Sequence, residues 1–300
     1  MDRRRFLEVA AAGAAMPLVA GSQLPALITR PIYSTGERVP IVGMGTWQTF
    51  DVGRSEQSRN VLLGVLETFF NRGGKLIDSS PMYGSSEPVV GDLLGRLRPR
   101  RSVFSATKVW IPGKRLGVMQ MESSRKLWGV TRFDLMQVHN LLDWEAHLDT
   151  LKEMKSSGGL RYIGVTTSHG RRHDELERIM KSQPLDFVQF TYNLADRSAE
   201  DRLLPLARER KIAVIINRPL DGGDLFQRVR GTQLPAWAGE VDCTTWSQFF
   251  LKFVVSHPAI TCAIPATSQR SHMQENMAVV TGRLPDEALR RRMADHFARL

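Results

Sequence analysis

The sequence predicts an α/β protein that folds as a (β/α)8 TIM barrel with an N-terminal β-hairpin. Eight short apolar segments alternate with helical patterns, at about 30 residues for each strand–helix unit. A polar residue ends several of these segments, as at Asp78, Lys108 and His139. An open doubly wound sheet is the alternative, but the glycines after the first strand, Gly43 and Gly45, do not continue into a G-x-G-x-x-G motif.

The individual elements follow from turn signals and from the spacing of apolar residues. A turn sequence over residues 34–37, between short extended pieces, predicts the hairpin within residues 32–39. The eight predicted strands are 41–46, 75–79, 103–109, 135–139, 162–167, 187–192, 213–217 and 261–265. The helices predicted between them are 55–70, 87–97, 119–128, 144–156, 171–181, 199–210 and 244–256. No linker interrupts this pattern, so residues 27–300 are predicted to form one domain.

Residues 1–26 have the features of an export signal. Arg3, Arg4 and Arg5 precede Phe6 and Leu7, and an alanine-rich apolar segment follows, with about the length of a signal-peptide core. This pattern resembles a twin-arginine signal, which implies export of the folded protein to the periplasm by the twin-arginine machinery. A short N-terminal helix with a basic cap is the alternative, and the protein would then stay in the cytoplasm. No apolar run reaches the roughly 20 residues needed to span a bilayer, so no stable membrane insertion is expected after processing.

Composition narrows the classes of partner. The chain of 300 residues has a net charge of +10, but its basic residues are dispersed. The short basic clusters are not interleaved with aromatic residues that could stack on bases, so no nucleic-acid partner is expected. Part of the positive charge would attract an anionic cofactor. The two cysteines, Cys243 and Cys262, show no metal-ligand spacing, so no metal site is expected either.

Four residues with complementary chemistry are predicted to meet at one end of the barrel. Asp78, Lys108 and His139 end the second, third and fourth strands, and Tyr83 lies in the loop after Asp78. Barrel enzymes collect their active groups at the carboxyl ends of the strands, so these side chains should converge. An acid, a phenol, an amine and an imidazole together can donate a proton to a carbonyl oxygen while its carbon receives a hydride.

Within this set, the phenol of Tyr83 is the expected proton donor. A free phenol has a pKa of about 10, and a nearby ammonium such as that of Lys108 lowers this pKa by stabilising the phenolate. Asp78 would keep Lys108 charged and in place, and His139 would orient the substrate oxygen through a hydrogen bond. Each residue alone has a structural explanation, such as a helix cap or a packed imidazole. Their joint occurrence at successive strand ends indicates a function.

The motifs that carry these residues resemble those of the aldo-keto reductase family. Residues 77–87, IDSSPMYGSSE, are similar to the family signature, in which Asp and Tyr flank a short loop before a Ser-Glu helix start. Similar segments recur along the chain, so the resemblance covers residues 31–300. It implies a (β/α)8 barrel, a nicotinamide cofactor that is usually NADP(H), and a small aldehyde or ketone as substrate. It also implies that Tyr83 is the general acid, supported by Asp78, Lys108 and His139.

The same resemblance implies a cofactor-binding surface along the strand ends. Gln189 would bind the nicotinamide carboxamide, and Glu275 with Asn276 would hold the adenine. Trp47 and Trp110 would form walls of the substrate pocket, with core packing as the alternative. The cofactor-binding residues implied by the family are Gly45, Thr46, Trp47, Asp78, Thr166, Thr167, Gln189, Asn217, Arg218, Leu220, Thr267, Ser268, Arg270, Glu275 and Asn276.

Some of these positions depart from the family pattern around the nicotinamide. Thr166 and Thr167 stand where Ser-Asn usually grips the carboxamide, and Thr167 cannot supply both an amide donor and an acceptor. Asn217 stands where many members stack a tyrosine on the ring. Arg218 follows it and could reach the pyrophosphate as a charge-assisted donor.

The expected 2′-phosphate site departs as well. Ala266 and His272 replace the lysine and the arginine that commonly bind this phosphate. Thr267, Ser268 and Arg270 are expected to compensate in part. The family resemblance favours NADP(H), and these departures leave NAD(H) as the alternative.

Two functions follow from these patterns. The first is an exported reductase of aldehydes or ketones that uses the nicotinamide cofactor. The second is an exported accessory or sensor module that binds the cofactor with little turnover. The second is motivated by the substitutions at the positions expected to bind the carboxamide and the 2′-phosphate. These substitutions change cofactor binding but leave the four predicted catalytic residues in place.

Overall fold

The computed structural model describes residues 26–300, and its first element is the predicted hairpin. Strand β1 (Thr29–Pro31) pairs antiparallel with β2 (Arg38–Pro40). Gly36 in the turn has a φ of +76°, a left-handed conformation that glycine adopts without steric strain. The hairpin and its turn are therefore present as predicted, but β1 precedes the predicted range of residues 32–39.

Eight parallel strands form the barrel, as predicted. Each pairs with the next along the chain, and bridges from Val42 to Ala263 and from Gly45 to Ala266 join the first to the last. These bridges close the sheet into a ring. The strands are β3 (Met44–Gly45), β4 (Leu76–Asp78), β5 (Phe104–Val109), β6 (Phe133–Val138), β7 (Leu160–Thr166), β8 (Phe187–Thr191), β9 (Ala213–Asn217) and β10 (Cys262–Ala263).

Helices surround the ring on its outer side. The seven predicted helices are confirmed, the one over residues 144–156 with the predicted bounds and the other six with one or both ends shifted. The sequence patterns did not predict α7, α9 or α10. The helices are α1 (Glu56–Asn71), α2 (Ser86–Arg96), α3 (Lys114–Trp128), α4 (Trp144–Ser156), α5 (His173–Ser182), α6 (Leu203–Glu209), α7 (Asp224–Arg228), α8 (Trp246–Ser256), α9 (Arg270–Ala278) and α10 (Glu287–Ala298).

The first helix shows how local sequence sets these elements. Ser55 is its N-cap, and the Ser55 hydroxyl accepts a hydrogen bond from the backbone N–H of Ser58 at 3.2 Å. Leu62, Val65 and Phe69 recur at helical spacing and are buried against the barrel. The capping residue thus fixes where the helix starts, and the apolar stripe fixes which face turns inward.

The hairpin closes the amino-terminal end of the barrel. Ile32 and Val39 are buried in one cluster with inward-facing side chains near the starts of the strands, including Phe104 and Tyr162. The Tyr162 hydroxyl lies 2.7 Å from Thr35 Oγ1 and ties the turn to β7. With this end filled, the carboxyl ends of the strands remain for a ligand site.

Further features of the described residues concern possible membrane-spanning helices, metal-ligand clusters and disulfides. Among residues 26–300, no helix is both long and apolar enough to cross a membrane. Over the same range, no three His, Cys, Asp or Glu side chains are grouped so as to hold a metal ion. Cys243 and Cys262 are buried free thiols. The predicted export signal over residues 1–26 lies outside the described residues, apart from residue 26.

Candidate active site

Three neighbouring strands and one loop bring the four predicted catalytic residues together. Asp78 is the last residue of β4, Lys108 is next to the last in β5, and His139 directly follows β6. Tyr83 lies in the loop between β4 and α2, in a turn in which its backbone N–H donates to the Ser80 carbonyl at 3.0 Å. Because parallel strands present their carboxyl ends at one edge, the side chains meet at the open end of the barrel.

Asp78 and Lys108 form a buried ion pair at the floor of this end. Lys108 Nζ lies 2.5 Å from Asp78 Oδ2 and donates to the Ser79 carbonyl at 2.8 Å, and the lysine side chain is fully buried. The other carboxylate oxygen, Oδ1, accepts from the amides of Gln137 and Gln189 at 3.1 and 3.2 Å. Burial disfavours the ammonium, but Asp78 and Tyr83 together outweigh that effect, so the Lys108 pKa lies above its ordinary value.

Tyr83 lies over the ammonium end of this pair. Lys108 Nζ is 5.1 Å from the centroid of the Tyr83 ring. Burial raises the pKa of the Tyr83 phenol, and the charge of Lys108 lowers it by a smaller amount. Lys108 therefore acts in the predicted direction, but the net pKa is raised. The phenol keeps its proton throughout the neutral pH range.

His139 is held between a serine and the Tyr83 ring. Its Nδ1 lies 2.8 Å from Ser80 Oγ, and its ring meets that of Tyr83 edge-on, with the centroids 5.6 Å apart. Burial, and then the positive charge of Lys108, lower the His139 pKa to about 2. The imidazole is therefore neutral near pH 7, with one nitrogen that donates and one that accepts a hydrogen bond.

A cavity of about 710 Å³ opens above these residues. Its size is in the range of pockets that hold cofactors and small ligands. Most of the residues predicted to bind the cofactor or substrate line it: Gly45, Thr46, Trp47, Asp78, Tyr83, His139, Thr166, Thr167, Gln189, Asn217, Arg218, Leu220, Thr267, Glu275 and Asn276.

Four predicted site residues do not line the cavity. Lys108 lies beneath it, in the ion pair. Trp110 is 40% exposed, with its ring centroid 6.4 Å from that of His139, so it stands at the rim. Ser268 and Arg270 lie outside the lining, and Arg270 reaches Glu67 on α1, with Nη2 3.3 Å from Oε2.

Most of the polar groups predicted to lie around the nicotinamide already have hydrogen-bond partners within the protein. Asn217 Nδ2 donates to the Thr167 carbonyl at 2.8 Å, and Gln189 donates to Asp78. Thr166 Oγ1 accepts from the backbone N–H of Asn140 at 3.1 Å. The hydroxyl of Thr167 is buried at the cavity wall and has no hydrogen-bond partner among the described residues. It can bind a polar ligand.

Arg218 has a strained backbone next to this surface. Its φ is +47°, which is uncommon outside glycine, and Asn193 Nδ2 holds its carbonyl at 3.0 Å. The guanidinium pairs with Asp221 at 2.8 Å and lies 6.0 Å from the centroid of the Trp47 ring. Its Nε is buried without a partner among residues 26–300. A donor is therefore available for an anionic ligand.

The cavity also includes residues that the sequence analysis did not assign. His169, Arg171 and Arg172 follow β7, and the two arginines add positive charge to the wall. Met82 and Phe226 add apolar surface. Their position in the sequence could have predicted this role, because residues 168–172 follow the end of a strand, where the sites of barrel enzymes are formed.

Comparison with known proteins agrees with this geometry. Residues 41–293 match the sequence profile of the Aldo/keto reductase family. "Aldo-keto reductase YhdN" of Bacillus subtilis is 28% identical over 200 residues, which are 62% of this chain and 60% of that protein. "NADH-specific methylglyoxal reductase" of Escherichia coli is 26% identical over 242 residues, 69% of this chain and 72% of that protein.

A solved structure shares the fold. An aldo/keto reductase from Klebsiella pneumoniae, in complex with NADP and acetate, superposes with a TM-score of 0.72 at 22% identity, covering 89% of this chain and 94% of that one. The family match covers residues 41–293, and the superposition covers 89% of the chain. The chain belongs to the aldo/keto reductase family.

Proposed function

We propose that this chain, a carbonyl-reducing oxidoreductase of that family, reduces an aldehyde or ketone to an alcohol with NADP(H), and that Tyr83 is the general acid. NAD(H) is the alternative cofactor. The observation that carries the proposal is that the phenol of Tyr83 and the imidazole of His139 line one cavity directly above the buried pair of Lys108 and Asp78. A small carbonyl compound is the proposed substrate.

Each of the four residues has a distinct part in the proton transfer. When bound, the nicotinamide group supplies the hydride that adds to the carbonyl carbon. Tyr83 gives its phenolic proton to the carbonyl oxygen, and the ammonium of Lys108, 5.1 Å from the ring centroid, stabilises the phenolate left behind. Asp78 keeps Lys108 charged, since the pKa of that lysine lies above its ordinary value. His139 donates a hydrogen bond to the substrate oxygen and orients it.

The residues present fit a nicotinamide dinucleotide. Two buried polar atoms on the cavity wall, Thr167 Oγ1 and Arg218 Nε, have no partner among the described residues and suit a carboxamide and a phosphate. Gly222 and Gly223 also line the cavity, with φ of +66° and +108°. Glycines let the backbone come close to a phosphate. The Klebsiella structure contains NADP, and the Escherichia coli relative is named NADH-specific.

We further propose export to the periplasm by the twin-arginine route. The support is the arginine group Arg3 to Arg5, with Phe6 and Leu7 and the apolar segment that follows. An enzyme that binds its cofactor before export suits a route that carries folded proteins. Fractionation of cells that express the full chain tests this, and replacing Arg3 to Arg5 with lysine should retain the protein in the cytoplasm.

Turnover with a panel of aldehydes and ketones tests the proposed activity. NADPH and NADH are each mixed with the protein, and loss of reduced cofactor is followed by absorbance. Tyr83→Phe should lower kcat by at least about 100-fold, because it removes only the proton donor. Calorimetric titration should show unchanged cofactor binding by this variant. Tyr33→Phe is the matched control, since Tyr33 lies in the exposed hairpin turn at the opposite end.

Two outcomes would contradict this proposal. An unchanged rate in Tyr83→Phe would remove Tyr83 from the role of proton donor. Tight cofactor binding without multiple turnover of any carbonyl compound would favour the accessory or sensor module instead.

A further inference from the structure

Ser80 makes a direct contact with the imidazole that faces the cavity. Ser80 Oγ lies 2.8 Å from His139 Nδ1, and Ser80 is fully buried. The same oxygen accepts a hydrogen bond from the backbone N–H of Met82 at 3.2 Å. Ser80 does not line the cavity that His139 lines, so it contacts the ring from within the protein.

The position of the Ser80 hydroxyl hydrogen decides whether Ser80 or His139 is the donor in this hydrogen bond. Among the contacts of Ser80 with described residues, Met82 already uses the oxygen as an acceptor, and His139 Nδ1 is the one acceptor within reach of the hydrogen. If Nδ1 carried the imidazole proton, the oxygen would accept twice and its own hydrogen would be left buried and unpaired. Buried polar hydrogens are rarely left in that state.

We propose that Ser80 is a positioning residue that donates its hydroxyl hydrogen to His139 Nδ1 and so fixes the tautomer in which Nε2 carries the proton. This inference rests on the proposed function, in which His139 donates a hydrogen bond to the substrate oxygen. The opposite tautomer would present a lone pair to that oxygen and repel it. The neutral state of the ring makes the choice of tautomer matter, because a neutral imidazole has a single N–H.

Ser80 also links this tautomer to the loop that carries the proton donor. Its backbone carbonyl accepts from the N–H of Tyr83 at 3.0 Å, while its side chain reaches His139. One residue therefore sets the position of both groups that contact the carbonyl oxygen. This explains a serine at a buried position where an alanine would fill similar space.

The tautomer can be measured in the wild-type protein without any substitution at Ser80. Nitrogen NMR of the full chain, labelled in its seven histidines, distinguishes a protonated from an unprotonated ring nitrogen. The resonances of His139 are those missing from the spectrum of His139→Asn. We expect a protonated Nε2 and an unprotonated Nδ1 for His139 near pH 7. A protonated Nδ1 overturns the inference, whatever the substituted proteins do.

Variants at Ser80 test whether the contact causes the tautomer. Ser80→Ala should populate the Nδ1-protonated form and lower kcat by about tenfold, the range expected for loss of one hydrogen bond. Ser80→Cys keeps a weak donor and should fall between the two. Cofactor affinity should not change in either variant. An unchanged tautomer together with an unchanged kcat in Ser80→Ala overturns the inference.

Ser105→Ala is the matched control. Ser105 is buried, donates to Asp134 Oδ2 at 3.0 Å and accepts from the Asp134 backbone N–H at 3.2 Å, the same two-bond pattern away from the cavity. It should leave both kcat and the His139 spectrum unchanged. Absence of carbonyl reduction by the wild-type protein would reject the proposed function. The NMR spectrum does not depend on turnover, so it would still test the tautomer of His139.

Discussion

The ammonium of Lys108 and the carboxylate of Asp78 lie 2.5 Å apart inside the barrel, with the lysine side chain fully excluded from solvent and that of aspartate 2% exposed. A buried charge is stable only while its counter-charge and hydrogen bonds remain in place. The pair is therefore a structural requirement of the barrel floor as well as the source of the positive charge beneath Tyr83.

Asp78→Asn should lower the free energy of unfolding by about 3–5 kcal/mol, because it leaves the Lys108 ammonium buried without a counter-charge. Adding Lys108→Met to the same chain removes that charge, so the double variant should recover part of the loss. Urea denaturation of the four proteins in this cycle gives the coupling energy. Glu153→Gln, which breaks the exposed pair with Lys114, is the control and should cost less than about 1 kcal/mol. An equal loss of unfolding free energy in Asp78→Asn and in the double variant would show that the unpaired charge of Lys108 is not the cause.

The sequence was sufficient to predict the barrel and the meeting of Asp78, Tyr83, Lys108 and His139 at one end of it. The apolar segments indicate directly which residues are buried in strands. The carboxyl ends of all strands of a parallel barrel lie at the same end, so the four side chains are expected to meet even when a strand boundary is predicted with an error of a few residues. The strand Ala213–Asn217 was predicted with the observed bounds. The short strands Met44–Gly45 and Cys262–Ala263 were predicted several residues too long, because apolar residues continue past the end of the regular hydrogen bonding.

The sequence was not sufficient for contacts between distant residues. Arg270 was expected near the cofactor phosphate, but its partner Glu67 lies 203 positions away, and nothing local in the sequence indicates that pairing. The Tyr83 pKa shows the same limit. The ammonium of Lys108 was predicted from the sequence, but the larger effect is burial, which depends on how the loop packs.

His139 should make folding stability depend on pH in the acidic range. Its pKa is about 2 in the folded protein and about 6.5 when unfolded, so between these values the unfolded chain binds the proton and the folded chain does not. The free energy of unfolding should therefore fall as pH drops below about 6.5, by up to about 1.4 kcal/mol per unit.

Urea denaturation of wild type and His139→Gln at a series of pH values measures this slope, and the difference between the two proteins should shrink steadily below about pH 6.5. His257 provides a matched control, because burial lowers its pKa to about 4. His257→Gln should remove only the part of the slope between about pH 6.5 and pH 4. A constant difference between His139→Gln and wild type would show that His139 is solvated in the folded state.

Glu87 should have the opposite pH dependence. It is buried beneath the site, where it accepts hydrogen bonds from Thr107 at 2.6 Å and Ser124 at 2.7 Å, and burial raises its pKa. A raised folded pKa gives stability that is present at low pH and is lost as pH rises. Glu87→Gln should therefore gain stability relative to wild type as pH rises above about 4.5 in urea denaturation. Glu122→Gln should show the reverse sign, because the hydrogen bond from Arg125 lowers the Glu122 pKa.

Glu67 should influence the choice between NADPH and NADH. Arg270 opens α9, whose residues Glu275 and Asn276 line the cavity, but its guanidinium is held 3.3 Å from Glu67 on α1. Both side chains are at least half exposed, so this pair contributes about 1 kcal/mol or less. Glu67→Gln releases Arg270 at small cost and leaves it able to reach a 2′-phosphate.

The expected result is an affinity for NADPH that rises about two- to fivefold, while the affinity for NADH changes less, because only NADPH carries the extra phosphate. Calorimetric titrations with the two cofactors side by side give the ratio of their affinities. Removing a negative charge could raise the affinity for both anionic cofactors, and the ratio is unaffected by such a common increase. Glu56→Gln is the control on the same helix, since Glu56 pairs with Arg96 at 2.8 Å instead of with Arg270. A parallel rise for both cofactors would mean that Arg270 does not reach the phosphate, and Thr267 would remain as the cavity-lining residue of the predicted 2′-phosphate site.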